Sequence, residues 1–148
     1  MKKVRVLIAD DDMQVLRFLS NLLSDDFCIV GTVSDGRALI AAAMELHPQI
    51  IITDIDMPTM NGIDAVRQLE ALLPDIKVIF LTSHEEPEYV AAAFSAGASA
   101  FLIKNGVSNL HRRIRAIIRD LQAAPPKQFL RQSVASQKDR VLIERGIA

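Results

Sequence analysis

The chain has 148 residues, half of them hydrophobic, which fits one compact domain with a real core. A net charge of −1 provides no global basic field for nucleic acid, and the one cysteine, Cys28, excludes an internal disulfide and suits a reducing compartment. Only the short apolar stretch Val4 to Ala9, broken by Arg5, follows Met1-Lys2-Lys3, so there is no signal-peptide core, and no segment approaches the roughly 20 apolar residues of a membrane span. A soluble cytoplasmic protein is the expectation.

Val4 to Ala9 reads as a buried strand, being a short apolar run bounded by charges. Asp12 then caps a helix striped by Val15, Leu16, Leu19, Leu22 and Leu23. Phe27 to Val33 is a second strand. Ser34-Asp35 starts a helix carrying Leu39, Ile40, Ala43 and Met44, with Pro48 just past its end. Ile50 to Thr53 is the third strand and runs into Asp54. After Asn61-Gly62 comes a helix with Ile63, Val66, Leu69 and Leu73, stopped by Pro74.

Lys77 to Leu81 is the fourth strand, followed by Thr82-Ser83. Pro87 suits a first helical turn, Val90 and Phe94 point inward from an alanine-rich helix, and Gly97 closes it. Ala100 to Ile103 is the fifth strand and ends at Lys104. Val107, Leu110, Ile114, Ile117, Ile118 and Leu121 stripe the last regular helix. Five strands interleaved with five helices imply an α/β fold, a parallel sheet covered on both faces.

Ala123-Ala124-Pro125-Pro126 reads as a break, dividing a domain over 1–122 from a tail over 123–148. The residues after Pro126 carry five Lys/Arg against two Asp/Glu. Leu130, Val134, Val141, Leu142 and Ile143 suit one more amphipathic helix. The tail is too short for an independent domain. It packs on the core, mediates association, or begins an effector domain.

Chemistry in open parallel sheets gathers at the carboxyl ends of the strands. That edge should collect Asp10, Asp11, Asp54, Thr82 and Lys104. Like-charged carboxylates at close range are strained unless a cation or proton joins them. Mg²⁺ takes one or two carboxylates, waters and phosphate oxygens. A lysine adds a point charge for a phosphoryl oxygen, and a threonine hydroxyl can donate to another. On these grounds Asp54 is a nucleophile for a phosphoryl group, a metal ligand or a turn residue.

Four strings carry a resemblance to the receiver domain of two-component response regulators, of the chemotaxis-regulator type. They are Val6-Leu7-Ile8-Ala9-Asp10-Asp11-Asp12, Thr53 to Gly62 around Met57-Pro58, Leu81-Thr82-Ser83 and Ala100-Phe101-Leu102-Ile103-Lys104. The resemblance covers roughly residues 3–121. It implies a doubly wound five-stranded sheet in the flavodoxin-like order 2-1-3-4-5. It implies Asp54 as phosphoacceptor from the phosphohistidine of a histidine kinase or phosphotransfer protein. Asp10 and Asp11 then match the pair that holds Mg²⁺ or Mn²⁺, with Asp54 and the backbone carbonyl of Asp56 as further ligands. Lys104 matches the lysine that pairs with the phosphoryl group, Thr82 the switch hydroxyl, and Phe101 the aromatic that follows it. Such a protein switches conformation on the face of the fourth helix, fifth strand and fifth helix. It is not a turnover enzyme.

Two departures mark this chain. Asn105 follows Lys104 where the family commonly has proline after a cis bond; a cis bond before a non-proline costs about 3–4 kcal/mol. Asp56 and His84 occupy the variable positions two beyond Asp54 and Thr82, and are expected to tune hydrolysis of the acyl phosphate. His111, Arg112, Arg113, Arg115 and Arg119 on the last helix suggest a homodimer surface facing Glu85, Glu86 and Glu88 of a second chain. Nucleic acid is expected as a partner only through an effector domain.

The rival enzyme reading takes Asp54-Ile55-Asp56 as the Asp-x-Asp of a haloacid-dehalogenase phosphatase, against which stand Pro58 and the lack of a cap domain. A flavodoxin-like nucleotide binder would need a phosphate loop where Asp10-Asp11-Asp12 stands. The remaining rival is a receiver-like interaction module that is never phosphorylated.

Overall fold

The computed structural model describes residues 2–104, 109–123 and 142–144. Its elements alternate as β1 (Arg5–Ala9), α1 (Met13–Leu23), β2 (Cys28–Val33), α2 (Gly36–Leu46), β3 (Ile50–Thr53), α3 (Gly62–Leu72), β4 (Lys77–Thr82), α4 (Pro87–Ala96), β5 (Ala100–Ile103), α5 (Leu110–Ala123) and β6 (Leu142–Glu144). The strands are parallel, and the first five stand in the order β2-β1-β3-β4-β5 that the resemblance implies. β6 adds a short sixth strand outside β5. Leu142 and Ile143 therefore sit in a strand and not in the amphipathic helix expected for them. The β-branched, apolar run they belong to suits an edge as well as a helix, and the open side of β5 offers backbone partners.

Side chains alternate across each strand, so one sheet feeds two cores. Val6, Ile8, Ile50, Ile52, Ile79, Leu81 and Leu102 meet Leu16, Leu19 and Leu23 of α1 and Ile114, Ile117 and Ile118 of α5. Leu7, Ile51, Val78, Phe80, Phe101 and Ile103 meet Leu39 and Ala43 of α2, Val66 and Leu69 of α3, and Ala93 and Ala96 of α4. Burial of one such aliphatic or aromatic side chain is worth about 1.5–3 kcal/mol. This two-sided burial is why the strands read as unbroken apolar runs.

Helix starts at Asp12 and Asp35 follow the start signals expected of them, and Asn61, read from the sequence only as part of a turn, is a cap as well. Asp12 accepts the Gln14 N–H, Asp35 the Ala38 N–H, and Asn61 the Asp64 N–H, each satisfying an otherwise unpaired donor of a first turn. Pro87 opens α4, and Gly97 ends it with φ 125°, a backbone setting that favours glycine.

Some face assignments differ from expectation. Val4 and Phe27 fall just before their strands, and Thr82 belongs to β4. Met44 is exposed, while Val90 and Phe94 are only half-buried. On α4 the small Ala93 and Ala96 reach the sheet, because the helix packs close enough that methyl groups fill the gap. Val107, Asn105 and the Lys104–Asn105 bond lie outside the described residues, as do Leu130, Val134 and Val141.

Phe80 is fully buried, with its ring centroid 6.3 Å from that of Phe101. Phe80→Ala should cost about 3–5 kcal/mol. Urea unfolding should show a lower midpoint at an unchanged m-value.

Candidate functional site

The register of the sheet builds the site. Ala9 and Thr53 are directly paired partners on β1 and β3, so the residues that follow, Asp10 and Asp54, emerge side by side. The Asp54 N–H donates to the Ala9 carbonyl at 3.0 Å, and the Asp10 N–H to the Val33 carbonyl at 3.1 Å. Thr82 and Ile103 are likewise partners on β4 and β5. The Lys104 N–H continues that ladder onto the Thr82 carbonyl at 2.8 Å. Four strand ends thus bring together the five residues singled out in the sequence.

At the centre stands the Lys104 ammonium. Its Nζ lies 2.7 Å from Asp10 Oδ2 and 3.1 Å from Asp54 Oδ2. The other carboxylate oxygens are used as well. Asp10 Oδ1 accepts the Asp12 N–H at 2.9 Å, and Asp54 Oδ1 accepts the Ile55 N–H at 2.7 Å. Asp10 and Asp54 are buried, whereas Asp11 is exposed at the rim. One oxygen from each of the three lies within 4.8 Å of the other two, close enough to hold one cation. Three carboxylates with one ammonium leave an excess of negative charge that a divalent cation would balance.

Titration reflects the same geometry. Burial pushes the Asp10 carboxyl above the ordinary carboxylate range, against the opposing hydrogen bond from Lys104. Burial pulls the Lys104 ammonium down, but the hydrogen bond to Asp10 and the charges of Asp54 and Asp10 outweigh it, so its pKa is raised. Asp10 is therefore held in a place that disfavours its charge unless a cation is near.

The switch candidates are both buried. The Thr82 hydroxyl is fully enclosed and accepts the His84 N–H at 3.3 Å. Phe101 is fully buried on the α4 side of β5, packed near Phe80. His84 and Asp56 meet directly: His84 Nε2 lies 2.5 Å from Asp56 Oδ2. Its Nδ1 lies 3.4 Å from Glu86, and its ring stacks on Tyr89 with centroids 4.0 Å apart. Burial is the largest single influence on the His84 pKa and lowers it, but the hydrogen bond and charge of Asp56 and those of Glu86 together raise it overall.

Glu86 and Tyr89 were not singled out from the sequence as partners of His84. Spacing held a weak signal, since both fall within one turn of the start of α4. The backbone of the β3–α3 loop was also missed. A Cβ on Gly62 would lie 2.0 Å from the Asp54 carbonyl oxygen, and one on Gly36 would lie 2.1 Å from the Met60 carbonyl oxygen. Both glycines let the chain close around Asp54. Thr59 takes φ 69°, a strained setting for a β-branched residue, where Met60 N–H turns back onto the Pro58 carbonyl at 2.7 Å.

The basic run on α5 is partly engaged within the chain. His111 Nε2 lies 2.6 Å and Arg115 Nε 3.7 Å from Asp26 Oδ2, tying α5 to the turn before β2. These two are not free to face a second chain, which trims the surface expected there.

A family model described as the response regulator receiver domain matches residues 6–115. The response regulator protein VraR of Staphylococcus aureus is 38% identical over 103 residues, 68% of this chain and 49% of that protein. The chain spans about half the length of the curated relatives it matches. Among solved structures, the response regulator domain of Thermotoga maritima CheB has TM-score 0.78 at 27% identity, covering 84% of this chain and 100% of that one. The isolated receiver domain of RcsB from Salmonella enterica serovar Typhimurium, solved with phosphomimetic BeF3−, has TM-score 0.72 at 25% identity, covering 80% and 90%.

Asp10→Asn removes one of the two buried carboxylates while leaving Lys104 paired with Asp54. It should raise the melting temperature measured in chelator and abolish the further rise that Mg²⁺ produces in the native chain. A variant melting below the native protein in chelator would refute the charge argument.

Proposed function

Because the chain belongs to the response regulator receiver family, we propose that Asp54 is its phosphoacceptor and that the receiver spans residues 1–122, with 123–148 as a tail. The observation that carries this reading is the single ammonium of Lys104 shared between Asp10 and Asp54 at 2.7 and 3.1 Å. Asp10, Asp11 and Asp54 suit Mg²⁺, or Mn²⁺ in its place, together with the backbone carbonyl of Asp56. When bound, the ion neutralises charge on the phosphoryl oxygens during transfer.

The donor is a phosphohistidine on a sensor kinase or phosphotransfer protein. A carboxylate oxygen of Asp54 forms the new bond to phosphorus as the P–N bond breaks. The electron pair returns to the imidazole, which takes a proton from solvent. The Ile55 N–H holds Asp54 Oδ1 and so orients the carboxylate. Lys104 supplies countercharge for the transferred group. The product, an acyl phosphate, keeps about two negative charges near neutral pH.

Thr82 and Phe101 then read the new charge. The Thr82 hydroxyl accepts the His84 N–H through a lone pair, which leaves its O–H to donate to a phosphoryl oxygen. Moving a two-state element from 1:99 to 99:1 takes about 5.5 kcal/mol. Two or three charge-assisted hydrogen bonds, at about 1.5–3 kcal/mol each, suffice. Output goes to a partner or a second copy of the chain. DNA as a target would require an effector region beyond the receiver elements.

The phosphatase rival would need Asp56 as its general acid. In an Asp-x-Asp phosphatase the second aspartate serves the reacting group, but the Asp56 carboxylate is bonded to His84 at 2.5 Å. That same pair, two positions beyond Asp54 and Thr82 in sequence, is held by Glu86 and Tyr89. Asp56 and His84 set how easily water reaches the acyl phosphate.

Incubation with Mg²⁺ and a small phosphodonor should add one phosphoryl mass, seen by intact mass spectrometry. Asp54→Asn should abolish the gain, whereas steady turnover of phosphate esters would overturn the proposal. Replacing Asp56 and His84 together by alanine should change the dephosphorylation rate severalfold while leaving the chain able to accept one phosphoryl group. An unchanged rate removes the pair from the mechanism.

A further inference from the structure

β5 would be the last strand of the sheet if Leu142–Glu144 left it. β6 lies parallel on its open side, with Ala100 opposite Leu142, Phe101 opposite Ile143 and Leu102 opposite Glu144. A bare edge presents a row of unpaired N–H and C=O groups that templates pairing with another chain. β6 occupies that row from within the same chain.

The attachment is short. β6 is only three residues long, at the lower limit for a strand.

The strand that β6 grips is the one tied to the site. β5 carries Phe101 and leads straight into Lys104, whose ammonium holds Asp10 and Asp54. A rearrangement around Asp54 that draws on Lys104 therefore acts on the strand beneath β6.

We infer that Leu142–Glu144 is a displaceable edge strand, the chain's own cover on β5, which holds β5 in its unphosphorylated setting and loosens when the site takes a phosphoryl group. The coupling half rests on Asp54 being the phosphoacceptor; the cover itself does not. By linkage, if a phosphoryl group weakens docking of the strand, undocking tightens the site for a phosphoryl mimic by the same factor.

The test uses the full chain carrying Leu142→Pro and Ile143→Pro, which removes both backbone donors whichever of them faces β5. Hydrogen exchange is followed on the peptide covering Ala100–Ile103, and BeF3− affinity is measured with Mg²⁺. The expected result is β5 exchange about tenfold faster and BeF3− bound at least about fivefold tighter, the low end of ordinary couplings. Unchanged β5 exchange overturns the cover. Faster exchange with unchanged BeF3− affinity overturns the coupling. Faster exchange with no BeF3− binding by either chain overturns the phosphoacceptor reading and the coupling with it, and supports the edge cover alone.

Discussion

One ammonium placed between two buried carboxylates organises this molecule. Lys104 reaches Asp10 and Asp54 from a different strand end than either, so the contact exists only when β1, β3 and β5 are all in register. Taking a carboxylate out of water is costly unless it is paired and hydrogen-bonded. Here each of the two has a backbone N–H on one oxygen and the shared lysine on the other. The arrangement is tolerable without being neutral, and the raised pKa of Asp10 records the remaining cost. A site left with surplus negative charge is one that a cation, and then a phosphoryl group with its cation, can complete.

The surroundings restrict how the site can change. Gly62 lets the chain close against the Asp54 carbonyl and Gly36 against that of Met60, so the backbone of Asp54 has little room to move. Thr82 is enclosed, its carbonyl taken by the Lys104 N–H and its hydroxyl oxygen by the His84 N–H. His84, bonded to Asp56, close to Glu86 and stacked on Tyr89, ties the β3–α3 loop to the start of α4.

β5 gathers three roles in four residues. Ala100 and Leu102 fill the α1–α5 core, Phe101 and Ile103 fill the α2–α4 core, and the strand delivers Lys104. Its outer edge carries the C-terminal strand. A strand with both faces buried cannot change one contact alone, because close-packed cores transmit small displacements. The lysine of the site and the aromatic switch candidate thus share one strand and its carboxyl end, and the outer side of that strand pairs with the edge strand.

The fold and the centre of the site were legible because both are written in local patterns. Apolar runs of four to six residues, each followed by a polar residue of definite chemistry, mark parallel strands and their carboxyl ends; Asp10, Asp54, Thr82 and Lys104 stand at those ends as read. Capping at Asp12 and Asp35 was likewise local chemistry. Other features depended on distance in the chain. That His84 closes on Asp56 is a contact across 28 residues, and that His111 and Arg115 turn to Asp26 spans 85 and 89 residues in number. Leu142 and Ile143 suited a helix by pattern and joined a strand because β5 had an open edge. The sequence by itself determined which residue types meet at the sheet's edge, since strand period and strand ends are properties of short segments. Only the tertiary structure decided who pairs with whom, because register, helix packing and an available edge come into being when distant segments share one sheet.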